Sequence, residues 1–150
     1  MPELKPRLRA DLNAAMKARD ELTTATLRMA LTAVSTEEVA GKQSRELSDD
    51  EVLRVLSREA KKRREAAEAF DAAGRTELAD RERAEGVVLD TYLPAQLTDD
   101  ELVELVRAAV TEAGATGPQQ MGAVMKLVQP QVAGRADGKR VSDEVRRQLS

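Results

Sequence analysis

Three observations predict an all-α protein. Apolar residues recur at spacings of three and four along nearly every segment. No segment sustains the two-residue alternation of a half-buried strand. Two capping-box signatures, Ser48-Asp49-Asp50-Glu51 and Thr98-Asp99-Asp100-Glu101, stand directly before periodic runs. The pattern divides into an N-terminal, bundle-like half of about four helices over residues 1–93 and a small C-terminal domain of three helices over residues 94–150, with a short hinge at Leu93–Leu97 between them.

The first helix is carried by Leu4, Leu8, Leu12, Ala15 and Met16. Thr23 or Thr24 is placed to cap a second, with Leu27, Ala30, Leu31 and Val34 on one stripe and Gly41 as its end. In the first capping box the Ser48 hydroxyl accepts from the Glu51 amide while the Glu51 carboxylate reaches back. It opens a third helix through Val52, Val55, Leu56, Ala66 and Phe70, stopped by Gly74. A fourth runs from about Thr76 to Tyr92 and is broken by Pro94.

The second capping box starts a helix with Leu102, Leu105, Val106, Ala109 and Val110 on one face, closed by Gly114. Gly117-Pro118 turns the chain into a stretch holding Met121, Val124, Met125 and Val128, ended or kinked at Pro130. Gly134–Gly138 reads as a loop, Asp137 as the cap of the last helix, and Val141, Val145 and Leu149 as its buried stripe.

Composition narrows the chemistry. The 150 residues include no Cys and no His, which removes the thiolate nucleophile, the disulfide and the commonest acid–base group and metal ligand. No Walker-type or GxGxxG motif occurs. The acidic clusters sit in first helical turns, where they offset the helix dipole, so capping accounts for them. The chain is therefore expected to be non-catalytic, with no metal and no cofactor. One Tyr and one Phe leave no stacking platform for single-stranded RNA. A formal charge of -3 means that any polyanion must be met by a local basic patch. No apolar run approaches the length of a membrane span and no secretory signal opens the chain, so a cytoplasmic location is expected.

Two basic patches stand out. Arg54, Arg58, Lys61, Lys62, Arg63 and Arg64 form the densest run, with Arg54, Arg58 and Lys61 or Lys62 on one helical stripe and Arg63 and Arg64 turned off it. Glu59, Glu65 and Glu68 dilute it, so an ion-paired solvated face competes with a phosphate-contacting surface. At the C-terminal end, Lys126, Arg135, Lys139, Arg140, Arg146 and Arg147 outnumber Asp137, Asp143 and Glu144. The Gly134–Gly138 loop leads into a helix N-terminus whose free amides favour an anion, against the plainer reading of an inter-helix turn with a capping aspartate. Tyr92-Leu93-Pro94 reads as a hinge clamp, its ring in an inter-domain seam and its hydroxyl on water or a carbonyl.

The stretches TLRMALTAV, LSDDEVLRVLSREAKKRREAAEAF, TYLPAQLTDDEL and MGAVMKLVQPQVAGRADGKRVSDEVRRQL together resemble the YqeY family over essentially the whole chain. That domain is similar to the tail of the GatB subunit of glutamine-dependent tRNA amidotransferases. The resemblance implies an all-helical fold with a three-helix C-terminal part, and contact with the body of a tRNA while the chemistry takes place in other domains and subunits. A carbon–nitrogen ligase label would then reflect kinship and supply no reaction. Carried onto this chain, the implied contact surface is Lys126, Arg135, Lys139 and Arg140 around Gly134 and Gly138. The expected partner is tRNA or another structured RNA. The alternative is an accessory module that binds a protein of translation or of an amidotransferase.

Overall fold

The computed structural model describes residues 2–150, and no strand forms among them. The chain makes two compact units, one ending at Pro94 and the other spanning Ala95–Ser150. The first holds α1 (Leu4–Lys17), α2 (Glu21–Glu38), α3 (Asp49–Ala72) and α4 (Thr76–Asp90). The second holds α5 (Asp99–Ala113), a single 3-10 turn at Pro118–Gln120, α6 (Met121–Val132) and α7 (Gly138–Leu149).

Helix starts follow local chemistry. Both capping boxes form reciprocally, at Ser48–Glu51 and Thr98–Glu101. The α2 start differs from the expected threonine cap. Asp20 fills that position, accepting from the Thr23 amide at 3.1 Å and from the Thr23 hydroxyl at 2.7 Å. It follows Arg19, a non-glycine residue at φ 57° that makes the tight reversal from α1. Gly74, Gly114 and Gly134 take the left-handed conformation just past α3, α5 and α6, where a Cβ would be strained.

One helix end departs from expectation where a tertiary contact intervenes. α2 stops at Glu38, ahead of Gly41. The Glu38 carboxylate accepts from Lys5 Nζ at 2.6 Å and from the Leu47 amide at 3.3 Å, and it pins the irregular 39–47 segment so that Leu47 enters the core. α6 continues through Pro130 to Val132. Pro130 faces solvent, so the amide it lacks leaves an outward carbonyl open while Val132 stays buried.

The first core gathers Leu8, Leu27, Val34, Val52, Val55, Leu56 and Leu89 around small Ala30 and Ala60. Tyr92 belongs to this core. Its hydroxyl donates to the Asp11 carboxylate, and the Arg7 guanidinium lies 4.7 Å from the ring centroid. Burial and the neighbouring carboxylate both hold the phenol protonated, well above its usual range. The second core stacks Leu102, Val106 and Ala109 against Val124, Val128 and Val132 and against Val141, Val145 and Leu149. Each triplet is one helical stripe, so three amphipathic helices close a single small core.

Candidate nucleic-acid interface

In the C-terminal unit the Gly134–Gly138 segment is built against the residues that lead into α5. The Leu97 amide donates to the Arg135 carbonyl at 2.8 Å and the Gln96 side-chain amide to the Gly134 carbonyl at 2.8 Å. Arg135 Nε donates back to the Ala95 carbonyl at 3.2 Å, and an Arg140 Nη to the Leu97 carbonyl at 3.2 Å. Arg140 also pairs with Asp99 at 2.9 Å. Backbone polar groups of an irregular segment need partners, and these two arginines supply them for Ala95–Leu97. Gly134 is buried and Gly138 exposed, so of the two glycines only Gly138 presents open backbone. Asp137 caps α7 as expected, accepting from the Lys139 amide at 3.3 Å, which places a carboxylate at the helix N-terminus where an anion would otherwise sit.

Cations and acids segregate within this unit. Residues 99–112 hold five acidic side chains and one arginine, whereas residues 126–147 hold six basic and three acidic ones. With Val141, Val145 and Leu149 buried, helical spacing puts Lys139, Arg140, Asp143, Arg146 and Arg147 together on the outward face of α7. The Lys139, Arg146 and Arg147 side chains are 78%, 63% and 64% exposed. Asp143 is shared between Lys139 at 2.9 Å and Arg146 at 3.1 Å, and Glu144 holds Arg147. The Lys139 ammonium, with Arg146 behind it, keeps the Asp143 carboxyl below its usual range. Arg147 does the same for Glu144. Lys126 is exposed on α6 and makes no ion pair among the described residues.

The six candidate residues thus divide. Arg135 and Arg140 converge on the Ala95–Leu97 backbone, Gly134 ends α6, and Lys139 joins Arg146 and Arg147 on the α7 face with Gly138 at its start. Lys126 shares no hydrogen bond with any of them.

The mid-chain run fares differently. Arg63 is nearly buried, 13% exposed, between α3 and α4, with Glu85 at 3.2 Å, Glu59 at 3.5 Å and Glu82 at 3.8 Å. Its Nε meets none of them in hydrogen-bonding geometry, and one Glu82 oxygen is likewise buried without a hydrogen bond. This side chain neutralises a cluster of acids and faces no partner. Arg58 pairs with Glu37, Lys62 with Glu59 and Lys61 with Glu65. Arg54 and Arg64 are exposed without an ion pair among the described residues. Sequence spacing reveals the i,i+3 and i,i+4 pairs. It does not reveal Glu82 and Glu85, which reach Arg63 from the next helix.

A family model described as YqeY-like protein matches residues 5–149. The chain belongs to the YqeY-like family. A curated relative, an uncharacterized protein of Schizosaccharomyces pombe, is 36% identical over 95 residues, 63% of this chain and 75% of the relative. In this YqeY-like chain no group of three or more metal-ligating side chains is placed to hold a metal ion among the described residues. No helix among them is long and apolar enough to cross a membrane.

Proposed function

We propose that this YqeY-like protein is a non-catalytic binder of structured RNA, tRNA first among them, and that the outward face of α7 makes the contact. The observation that carries the reading is the exposed set Lys139, Arg146 and Arg147, held in register by one buried stripe and opposed by only Asp143 and Glu144. Exposed ion pairs of this kind contribute at most about 1 kcal/mol each. They exchange readily for phosphates, whose binding is driven by counterion release. Gly138 opens the same helix, and Lys126 is a further exposed cation of the unit, on α6. The scarcity of aromatic side chains favours recognition of backbone and shape over stacked bases. The resemblance to the amidotransferase tail points to the same class of ligand. No reaction belongs to this reading, since the chain carries no His, no Cys and no nucleotide-binding motif.

The test is binding of labelled bulk tRNA to the purified protein at about 50 and 200 mM salt, with duplex RNA as control. Saturable binding that weakens with salt, prefers tRNA, and falls at least about tenfold in the Lys139→Glu, Arg146→Glu double variant is expected. Absent binding at the lower salt overturns the reading. Binding that the double variant leaves unchanged overturns the assignment to α7.

A further inference from the structure

A groove runs along the N-terminal unit between α2 and α3, with a volume of about 650 Å³. Its walls are two helical stripes. Met29, Thr32, Ala33 and Thr36 follow i, i+3, i+4, i+7 spacing on α2, and Val55, Arg58, Glu59 and Lys62 do the same on α3. Cross-pairs fix the helices as antiparallel: Arg63 approaches the Met29 sulfur at 3.6 Å, and Arg58 reaches Glu37 at 3.3 Å further along. The groove stays open because α2 presents only small or slender side chains between Met29 and Glu37. Ala33 and Val55 form an apolar floor, and Met29 is 40% exposed.

The rim has one sign in excess. Three cations, Arg28, Arg58 and Lys62, face two carboxylates, Glu37 and Glu59, and Arg63 also lines the groove but is balanced by Glu82 and Glu85 outside it. Both carboxylates are already engaged, by Arg58 and by Lys62 with Arg63. Arg28 has no carboxylate partner among the described residues, and its guanidinium rests 3.3 Å from the Met16 sulfur. An occupant must therefore bring apolar groups for the floor and negative charge for the rim. Two parallel-walled helical stripes accept a third helix lengthwise, with side chains at i, i+3, i+4 and i+7 entering the seam. A methionine at the mouth adapts its shape to such a guest. Nucleic acid meets the charge but offers nothing aliphatic to the floor.

We infer that the α2–α3 groove is a docking site for an acidic amphipathic helix of a partner protein, seated on Met29, Ala33 and Val55 and held by Arg28 and Lys62. The site lies in the N-terminal unit and is independent of the α7 surface.

The experiment uses the full chain and a fluorescein-labelled designed peptide of about four helical turns, with leucines at i, i+3, i+4 and i+7 flanked by glutamates. A control peptide carries lysine at every glutamate. Fluorescence polarisation measures affinity, and methyl NMR follows the Met29 methyl, assigned with Met29→Leu. The expected result is saturable binding of the acidic peptide at least about tenfold tighter than the control, with a shift of the Met29 methyl. Binding should be lost in Arg28→Glu and, independently, in Thr36→Trp, which fills the seam; circular dichroism confirms that both variants keep their helices. Equal binding of the two peptides, a Met29 signal that does not move, or affinity unchanged in both variants overturns the inference. So does displacement of the peptide by bulk tRNA whose own binding depends on Arg28, an outcome that would make the groove a nucleic-acid site.

Discussion

Tyr92, just past the end of α4, donates its hydroxyl to Asp11 on α1, tying together residues 81 apart in the sequence. The ring lies under Arg7, which also stands 3.9 Å from Asp11. One aromatic side chain thus holds the exit of the N-terminal unit against its first helix. Tyr92→Phe keeps the ring and removes the bond, and it should destabilise that unit by about 1.5 kcal/mol, because the acceptor is charged. Asp11→Ala should cost a similar amount, and the double variant clearly less than the sum. Chemical denaturation of the four proteins measures the coupling, and additive losses would show that the two groups act separately.

Asp143 competes with any ligand of the α7 face, since it holds both Lys139 and Arg146. Asp143→Asn should leave the fold intact and tighten tRNA binding several-fold, corresponding to about 1 kcal/mol for two exposed pairs released. A titration at fixed salt checks it. Unchanged or weaker binding would argue that Lys139 and Arg146 do not meet phosphate.

The Arg45 guanidinium, aided by the Ser48 amide, holds the Glu51 carboxyl at about 2, against an ordinary value of 4.5. Because the folded value lies below the unfolded one, the stability this group contributes is fully present above pH 4.5 and is lost as pH falls toward 2. Glu51→Gln retains an acceptor for the capping box but carries no charge to titrate. The melting temperatures of the two proteins should differ most above pH 5 and converge by about pH 2. A difference constant across that range would show that the capping geometry, without the charge, accounts for the effect.

Arg63 stands among three glutamates, and removing it leaves them facing one another with little solvent. Arg63→Ala should cost about 3 kcal/mol at neutral pH. Arg63→Met keeps most of the bulk without the charge and should cost nearly as much as Arg63→Ala. Urea unfolding of the three proteins at pH 7 measures both values. A deficit largely recovered in Arg63→Met would assign the loss to packing instead of charge.

What was legible in the sequence follows from the range of each interaction. Ser48 and Glu51, or Thr98 and Glu101, signal a helix start within four residues, and Val141, Val145 and Leu149 define a buried face by spacing alone. The same spacing leaves Lys139, Arg146 and Arg147 on the opposite face of α7. The Asp20 cap displaced the expected threonine because Arg19 at positive φ sets the turn, and arginine gives no compositional warning of that conformation. Arg63 read as a surface cation, since its partners Glu82 and Glu85 come from another helix. Arg135 and Arg140 read as ligand contacts, while their hydrogen bonds reach back some 40 residues to Ala95 and Leu97. The α2–α3 groove left no trace in either helix read singly, because it exists only where two stripes fail to fill the space between them.

The stitching of Ala95–Leu97 to Gly134, Arg135 and Arg140 has a consequence for the C-terminal unit as a heritable module. Its minimal genetic segment starts at Ala95, four residues upstream of its first helix. A boundary drawn at the Thr98 cap would discard the Leu97 side chain from the core and strip the Gly134 and Arg135 carbonyls of their donors. Recombination that moves this three-helix piece between genes must carry the Ala95-Gln96-Leu97 codons with it, so the leader tripeptide travels as part of the fold and not as spacer.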